Sequence, residues 1–498
     1  MTVSAQTLAD GEWQSLEELS LTDEQRSWYQ DNRQSEQLNR VLTCSPAAAA
    51  LIRRYPEWPL RIVNELHSFS EDYWLGALSE ALAEAATLDE DPAQTFREFR
   101  NYHWLRIVWR DLNRLADTAE TTLDLSLMAE ACIQQGQLLL HNELKEKWGE
   151  PHCKQNRPQQ MVVIAMGKLG ARELNLSSDI DLIFTYPEGG STKGGRREID
   201  NQEFFIRLGQ KLIKLLDLQT AHGFVFRVDM RLRPYGQSGP LVMSFDALEE
   251  YYQNQGREWE RYALIKARTI AGDPADGEQL LELLRPFVYR SYVDYSVIEA
   301  LRGMKSLIMR EMERRKLHND VKLGPGGIRE IEFIAQCFQL IRGGQEPQLQ
   351  RRRLMGVMSA LKESEALPEK VVDELSDAYH FLRDTEHAIQ AWGDAQTQKL
   401  PVEDEAKIAL AHAMGFSNWK HFFDVLEEKR LTVARHFAEV IADPDHEASG
   451  LTVSEWSREL DEPTEASLLL AFDREHFENP EESARRLSQF IAGANVDR

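Results

Sequence analysis

The sequence predicts an α+β chain, mostly α overall, with a small sheet set between two helical regions. Three observations carry this reading. Residues 1–150 are rich in Leu, Ala, Glu, Gln and Arg and nearly free of glycine. Between Met161 and Leu232, short apolar runs alternate with glycine turns. From Ser296 onward, apolar residues return to helical spacing.

The elements follow in order. Leu125–Lys147 is the clearest N-terminal helix, and Pro151–Pro158 breaks the helical pattern. Met161–Met166 (MVVIAM) reads as a buried strand. A glycine turn and a short helix follow, then a second strand, Asp179–Tyr186. Glu188–Arg197 holds four glycines and reads as a mobile loop, equally a lid or a plain connection. Gln202–Leu218 reads as helix and Gly223–Leu232 as a third strand. Val297, Leu301, Met304, Ile308 and Met312 form one apolar stripe. After the break at Gly324–Gly327, another helix carries Ile331, Ile334, Phe338 and Ile341. Residues 441–498 hold 14 acidic and 5 basic residues and read as an acidic tail or linker. The chain is expected to be a piece of a longer one.

Composition narrows the class. The net charge of −24 argues against a general nucleic-acid binder, because phosphate neutralisation needs a basic surface. The longest uncharged stretches have 12 residues, too few to cross a membrane. There is no signal-like start. Four scattered cysteines form no CxxC pair, so neither a zinc site nor a disulfide framework is expected. A cytoplasmic location is expected.

The chemistry concentrates in Gly167–Phe184 (GKLGARELNLSSDIDLIF). Asp179 and Asp181 are two apart on a predicted strand, so both carboxylates face one side. Like charges so placed repel, and a divalent cation removes that cost. On the third strand Arg227, Asp229, Arg231 and Arg233 share a face. If the strands are neighbours, Asp229 joins the pair. Three carboxylates can hold two ions, which suits in-line phosphoryl or nucleotidyl displacement. Arg231 and Arg233 would add charge for phosphate oxygens. Gly167, Gly170, Ser177 and Ser178 would supply a phosphate-holding turn, with Lys168 as a point charge. Taken alone, a DxD or an Arg/Asp strand is more often a solvated surface. The combination favours a site. The spacing fits no Walker P-loop, EF-hand, HExxH or GxSxG motif.

These residues resemble the nucleotidyltransferase motif of the bifunctional glutamine synthetase adenylyltransferase/adenylyl-removing enzymes. The resemblance continues through Gly194–Lys214, Gly223–Leu241, Tyr251–Arg268 and Lys322–Gln336, and covers most of residues 100–440. It implies a DNA-polymerase-β-like catalytic domain with a small mixed sheet, flanked by helical domains. The expected segments are 1–120 (helical), 121–295 (nucleotidyltransferase), 296–440 (helical) and 441–498 (tail). Segment order and Asn175–Ser178 look like the N-terminal, adenylyl-removing half.

The resemblance further implies a metal-dependent reaction. AMP would leave an adenylylated tyrosine of glutamine synthetase by phosphorolysis, giving ADP. Asp179, Asp181 and Asp229 match the metal-binding carboxylates, for Mg²⁺ (two ions) or Mn²⁺. Gly167, Lys168 and Ser178 match the phosphate side. Lys322, Arg329, Glu330 and Glu332 read either as a site wall for nucleotide or phosphate or as solvent-facing charges beside a plain interhelix turn, and the glycine-rich segment shared with the family favours the wall. Ala171 stands where the family usually has glycine, which is harmless unless φ is positive there. Expected partners are adenylylated glutamine synthetase, a PII signalling protein, phosphate and ADP/ATP. The alternatives are adenylyl transfer from ATP by the same site, or a silent PII-binding module. Arg351–Arg353 and Arg314–Lys316 read as solvated or docking patches, and Trp104, Trp109 and Trp259 as core or interface residues.

Overall fold

Short polar caps start most of the N-terminal helices. A computed structural model describes residues 4–290, 295–315 and 317–439. Thr22 caps helix Asp23–Asp31 in a reciprocal capping box with Gln25. Ser45 ends helix Glu36–Cys44 and caps helix Pro46–Arg54, whose first residue is proline. Asp91 and Asp117 cap the two long helices, Pro92–Leu112 and Thr118–Trp148. Helix Pro92–Leu112 is buried on nearly every side, arginines included. Two of its arginines are paired, Arg110 3.2 Å from Asp124 and Arg100 2.7 Å from Asp394, while Arg97 donates to the carbonyls of Gly223 and Leu218. Pairing is what makes burial of such groups tolerable.

Among the described residues seven strands follow: β1 (Gly149–Cys153), β2 (Val162–Ala165), β3 (Ile180–Tyr186), β4 (Gly190–Gly194), β5 (Val228–Asp229), β6 (Val242–Ser244) and β7 (Arg268–Ala271). The main sheet runs β5-β3-β2-β7, with β6 also on β3. β2 pairs antiparallel with β3 and β7, while β5 and β6 pair parallel with β3. The sheet is therefore small and mixed, within a mostly helical chain. All four residues of β2 are buried, as its continuous apolar run requires. Helix Asn201–Asp217 buries Phe204, Leu208 and Leu212.

Two expected elements differ. The glycine-rich stretch 188–197 is not simply a loop: β4 pairs antiparallel with β1 over five residues. Gly190 serves close approach, since a Cβ there would stand 2.1 Å from the His152 carbonyl oxygen. The third strand shrinks to Val228–Asp229. Upstream, the amides of Val225 and Phe226 both bond the Leu216 carbonyl, and both side chains are buried, so alternation fails there. Downstream, the Asp229 carboxylate takes the Arg231 amide and turns the chain.

The later helices are Tyr295–Arg315, Ile328–Arg342, Leu354–Glu363, Glu369–Gly393, Asp404–Ala413 and Trp419–Glu439. In the first, Leu301 is buried, whereas Met304, Ile308 and Met312 are half-buried. The side chain of Val297 lies outside the described residues, as do Lys316 and the acidic segment 441–498. Helix Glu369–Gly393 packs back on the N-terminal helices. Asp384 accepts from Thr118 at 2.7 Å, and His387 meets Asp111 at 3.2 Å. The chain up to Phe437 forms one compact unit. Trp104 and Trp109 are core, while Trp259 lies on the surface. Arg351 and Arg353 are exposed, and Arg352 bonds the Ala267 carbonyl. The four cysteines are buried and free. Among the described residues, no helix is long and apolar enough to cross a membrane.

Candidate active site

β3 starts just after Ser178-Asp179, and period-two geometry sends Asp179 and Asp181 to one side while Ile180 and Leu182 enter the core. The parallel register with β5 sets Asp181 directly opposite Asp229. Burial pushes the Asp181 carboxyl up to about 7, with Asp179 and Asp229 adding to the effect and Lys322 and Arg231 opposing it. Burial also raises Asp229, but the Arg231 side chain and amide outweigh it and hold that carboxyl below its usual range. Arg231 Nε donates to Asp229 Oδ2 at 2.7 Å, and the Arg231 amide donates to Oδ1 at 2.8 Å.

β2 leads into the turn above these carboxylates. The Met166 amide bonds the Asp181 carbonyl at 2.9 Å, and Gly167 follows at φ +53°. A Cβ on Gly167 would stand 2.8 Å from Asp181 Oδ2. Only glycine suits both the backbone and the space. Ala171 sits at φ −80°, where alanine is unstrained.

The expected phosphate groups separate into two sets. Lys322 and Arg231 share the field of Asp181, and Ser178 is half-buried beside Asp179. Lys168, Arg233, Arg329 and Glu330 stand elsewhere. Lys168 is buried, with Nζ 3.1 and 3.2 Å from the two Glu386 oxygens, so it serves an internal ion pair. Arg233 bonds the carbonyls of Met230 at 2.8 Å and Gln237 at 3.0 Å, which closes its own loop. Arg329 is exposed. Glu330 is buried and accepts from the Gly326 amide at 3.1 Å, bracing the glycine turn. Burial lifts its carboxyl to about 7. Glu332 pairs with Lys266 at 2.7 Å. Among the described residues, no three Asp, Glu, His or Cys side chains stand ready to hold a metal ion. The Asp229 carboxylate is turned on to Arg231.

Sequence reasoning missed the residues that hold the Gly167–Ser178 loop from outside. Arg383 donates to the Glu173 carbonyl at 2.7 Å, and Gln390 accepts from the Ser177 amide at 2.8 Å. Arg227 donates to Ser177 Oγ at 2.6 Å, and Trp104 to the Leu176 carbonyl at 2.8 Å. No local signal marks these partners. Arg383, Gln390 and Trp104 come from distant helices, and Arg227 from the residue just before β5.

The family model for glutamate-ammonia ligase adenylyltransferase matches residues 35–283, which include the turn, all three aspartates and Arg231. The chain belongs to the glutamate-ammonia ligase adenylyltransferase family. A second model, GlnD PII-uridylyltransferase, matches residues 302–441, which include Lys322, Glu386 and Gln390. Among relatives of this adenylyltransferase family are the bifunctional glutamine synthetase adenylyltransferase/adenylyl-removing enzymes of three bacteria. That of Pseudomonas aeruginosa is 54% identical over 419 residues, which are 82% of this chain and 42% of the relative. That of Pseudomonas putida is 48% identical over 473 residues, 93% and 48% respectively. That of Shewanella loihica is 44% identical over 438 residues, 87% and 46%. The chain spans less than half the length of these relatives.

Proposed function

We propose that this chain removes AMP from an adenylylated tyrosine of glutamine synthetase by phosphorolysis, releasing ADP. The observation that carries the reading is the register that sets Asp181 opposite Asp229, with Asp179 beside them. The names of the relatives support the substrate. The likeness of Asn175–Ser178 to the removing unit supports the direction.

Divalent ions, Mg²⁺ or Mn²⁺, fit the residues present. The donors are carboxylate oxygens, which such ions prefer. Gly167 leaves open the space beside Asp181 Oδ2 that any Cβ would fill. Asp179, Asp181 and Asp229 would hold the ions, Asp229 after turning from Arg231. When bound, the ions offset the carboxylate charge and polarise phosphate oxygens.

The chain's own residues orient the phosphate groups. Lys322 and Arg231 offset repulsion between the incoming phosphate and the AMP phosphate. A phosphate oxygen attacks the AMP phosphorus. The bond to the tyrosyl oxygen breaks, and that oxygen takes up a proton. The match to GlnD PII-uridylyltransferase supports a PII signalling protein as regulator, and the setting we propose is the cytoplasm.

The test mixes the chain with adenylylated glutamine synthetase, phosphate and Mg²⁺ and follows ADP. Wild type forms ADP and Asp179→Ala does not. AMP attachment from ATP, with no ADP formed, would assign the opposite direction. Neither activity would make the chain a regulatory binding module.

A further inference from the structure

Helix Glu369–Gly393 presents three residues at i, i+3 and i+7, one face of a helix. All three grip the loop that precedes β3. Glu386 takes Lys168 at the loop's start, at 3.1 and 3.2 Å. Arg383 donates to the Glu173 carbonyl in its middle, at 2.7 Å. Gln390 Oε1 accepts the Ser177 amide at its end, at 2.8 Å. Ser177 lies two residues before Asp179, so its placement sets where the first carboxylate enters the sheet. The Ser177 hydroxyl is held separately, by Arg227. Nearby polarity is otherwise unspent: both polar side-chain atoms of Asn175 and the Gln390 amide nitrogen are buried without a protein partner. The Gln390–Ser177 bond therefore ties the loop's last turn to the helix.

Glu386 and Gln390 lie outside residues 35–283, the adenylyltransferase match, and inside 302–441. We infer that Gln390 is a positioning residue for the reaction, fixing Asp179 through the Ser177 amide from the second matched segment. The inference rests on the phosphorolytic reading above for its kinetic consequence, and on geometry for the grip.

Two variants test it. Gln390→Leu keeps most of the volume and removes the acceptor. Gln390→Glu keeps an oxygen acceptor at the same reach. Amide hydrogen exchange at Ser177 reads the grip without any substrate. In Gln390→Leu that exchange is expected to speed up about tenfold, with the thermal midpoint nearly unchanged. The kcat for ADP formation falls about 10- to 100-fold while KM for phosphate holds, as expected for a misplaced reacting group. Gln390→Glu restores both readouts. Slow exchange at Ser177 in Gln390→Leu, an unchanged kcat, or a Glu variant as defective as the Leu variant would overturn the inference. A wild-type chain that forms no ADP would overturn the phosphorolytic reading and the kinetic role together, and exchange at Ser177 would still decide the grip.

Discussion

Lys168 is bound by both carboxylate oxygens of Glu386, 218 residues further along the chain. A lysine in a glycine turn beside an acidic strand looks like a phosphate ligand, yet here its charge is spent inside the protein. Burial pulls Lys168 down to about 7, and the Glu386 charge opposes that fall. Removing one member strands the other. Glu386→Leu is expected to destabilise by about 3–5 kcal/mol, the cost of leaving a buried charge unpaired. The double variant Lys168→Met with Glu386→Leu recovers most of that loss. Urea denaturation of the two single variants and the double one measures the coupling. Additive losses would show that the two side chains do not act as a pair.

Asp181 carries a stability cost that depends on pH. Its folded carboxyl sits at about 7, raised by burial, Asp179 and Asp229, against about 3.9 for a free aspartate. The folded state therefore holds the proton more tightly than the unfolded state between those values. Stability falls as pH rises from about 4 to about 7 and stays low above. In metal-free buffer, Asp181→Asn should remove that dependence and stabilise the protein at pH 8 by a few kcal/mol, since each pKa unit is about 1.4 kcal/mol. Mg²⁺ should raise the wild-type thermal midpoint at pH 8 and leave that of Asp181→Asn nearly unmoved. A wild-type midpoint insensitive to both pH and Mg²⁺ would contradict the account.

What was legible in the sequence was local. The Asp179/Asp181 alternation follows from two-residue periodicity and the burial of β2 from a continuous apolar run, both of which neighbouring residues carry by themselves. The helix 201–217 follows from its apolar stripe. The extent of β5 was not legible, because a side chain ends it: Asp229 bonds the Arg231 amide where a ladder bond would otherwise run. Gly190 of β4 reads as looseness because its use, close approach to β1, depends on a strand about 40 residues away. The roles of Lys168 and Arg233 were misread for the same reason. A cation's partner is set by tertiary packing, and in these two cases the partners are Glu386 and the carbonyls of a loop.

Gly167 offers a sharp steric test. Gly167→Ala meets two penalties: a positive φ, and a Cβ 2.8 Å from Asp181 Oδ2. The left-handed conformation alone costs an ordinary residue about 1–3 kcal/mol. The variant should lose that much stability and most of its Mn²⁺ binding, read by the electron paramagnetic resonance of free Mn²⁺. Ala171→Gly is the control. At φ −80° the site tolerates alanine, so the glycine there should cost no more than about 1 kcal/mol, through backbone entropy. Equal effects at the two positions would mean that the turn, and not the space beside Asp181, governs the site.

Lys322 and Arg233 separate a ligand-facing cation from a structural one. Lys322 lies in the field of Asp181 and makes no ion pair with a carboxylate among the described residues. Arg233 is held by Met230, Gln237 and Gly239. Lys322→Met should therefore raise KM for phosphate about tenfold or more, with the thermal midpoint little changed, because the lost charge acts on the ligand. It should also lift the Asp181 carboxyl further, since Lys322 is the charge that most opposes that rise. The alkaline limb of the metal-free stability curve then moves to higher pH. Arg233→Gln should do the reverse: it lowers the thermal midpoint and loosens the 230–239 loop, with KM for phosphate held. Steady-state kinetics in phosphate and thermal melts on both variants decide the matter. A phosphate KM that responds to Arg233 and ignores Lys322 would exchange the roles of the two residues.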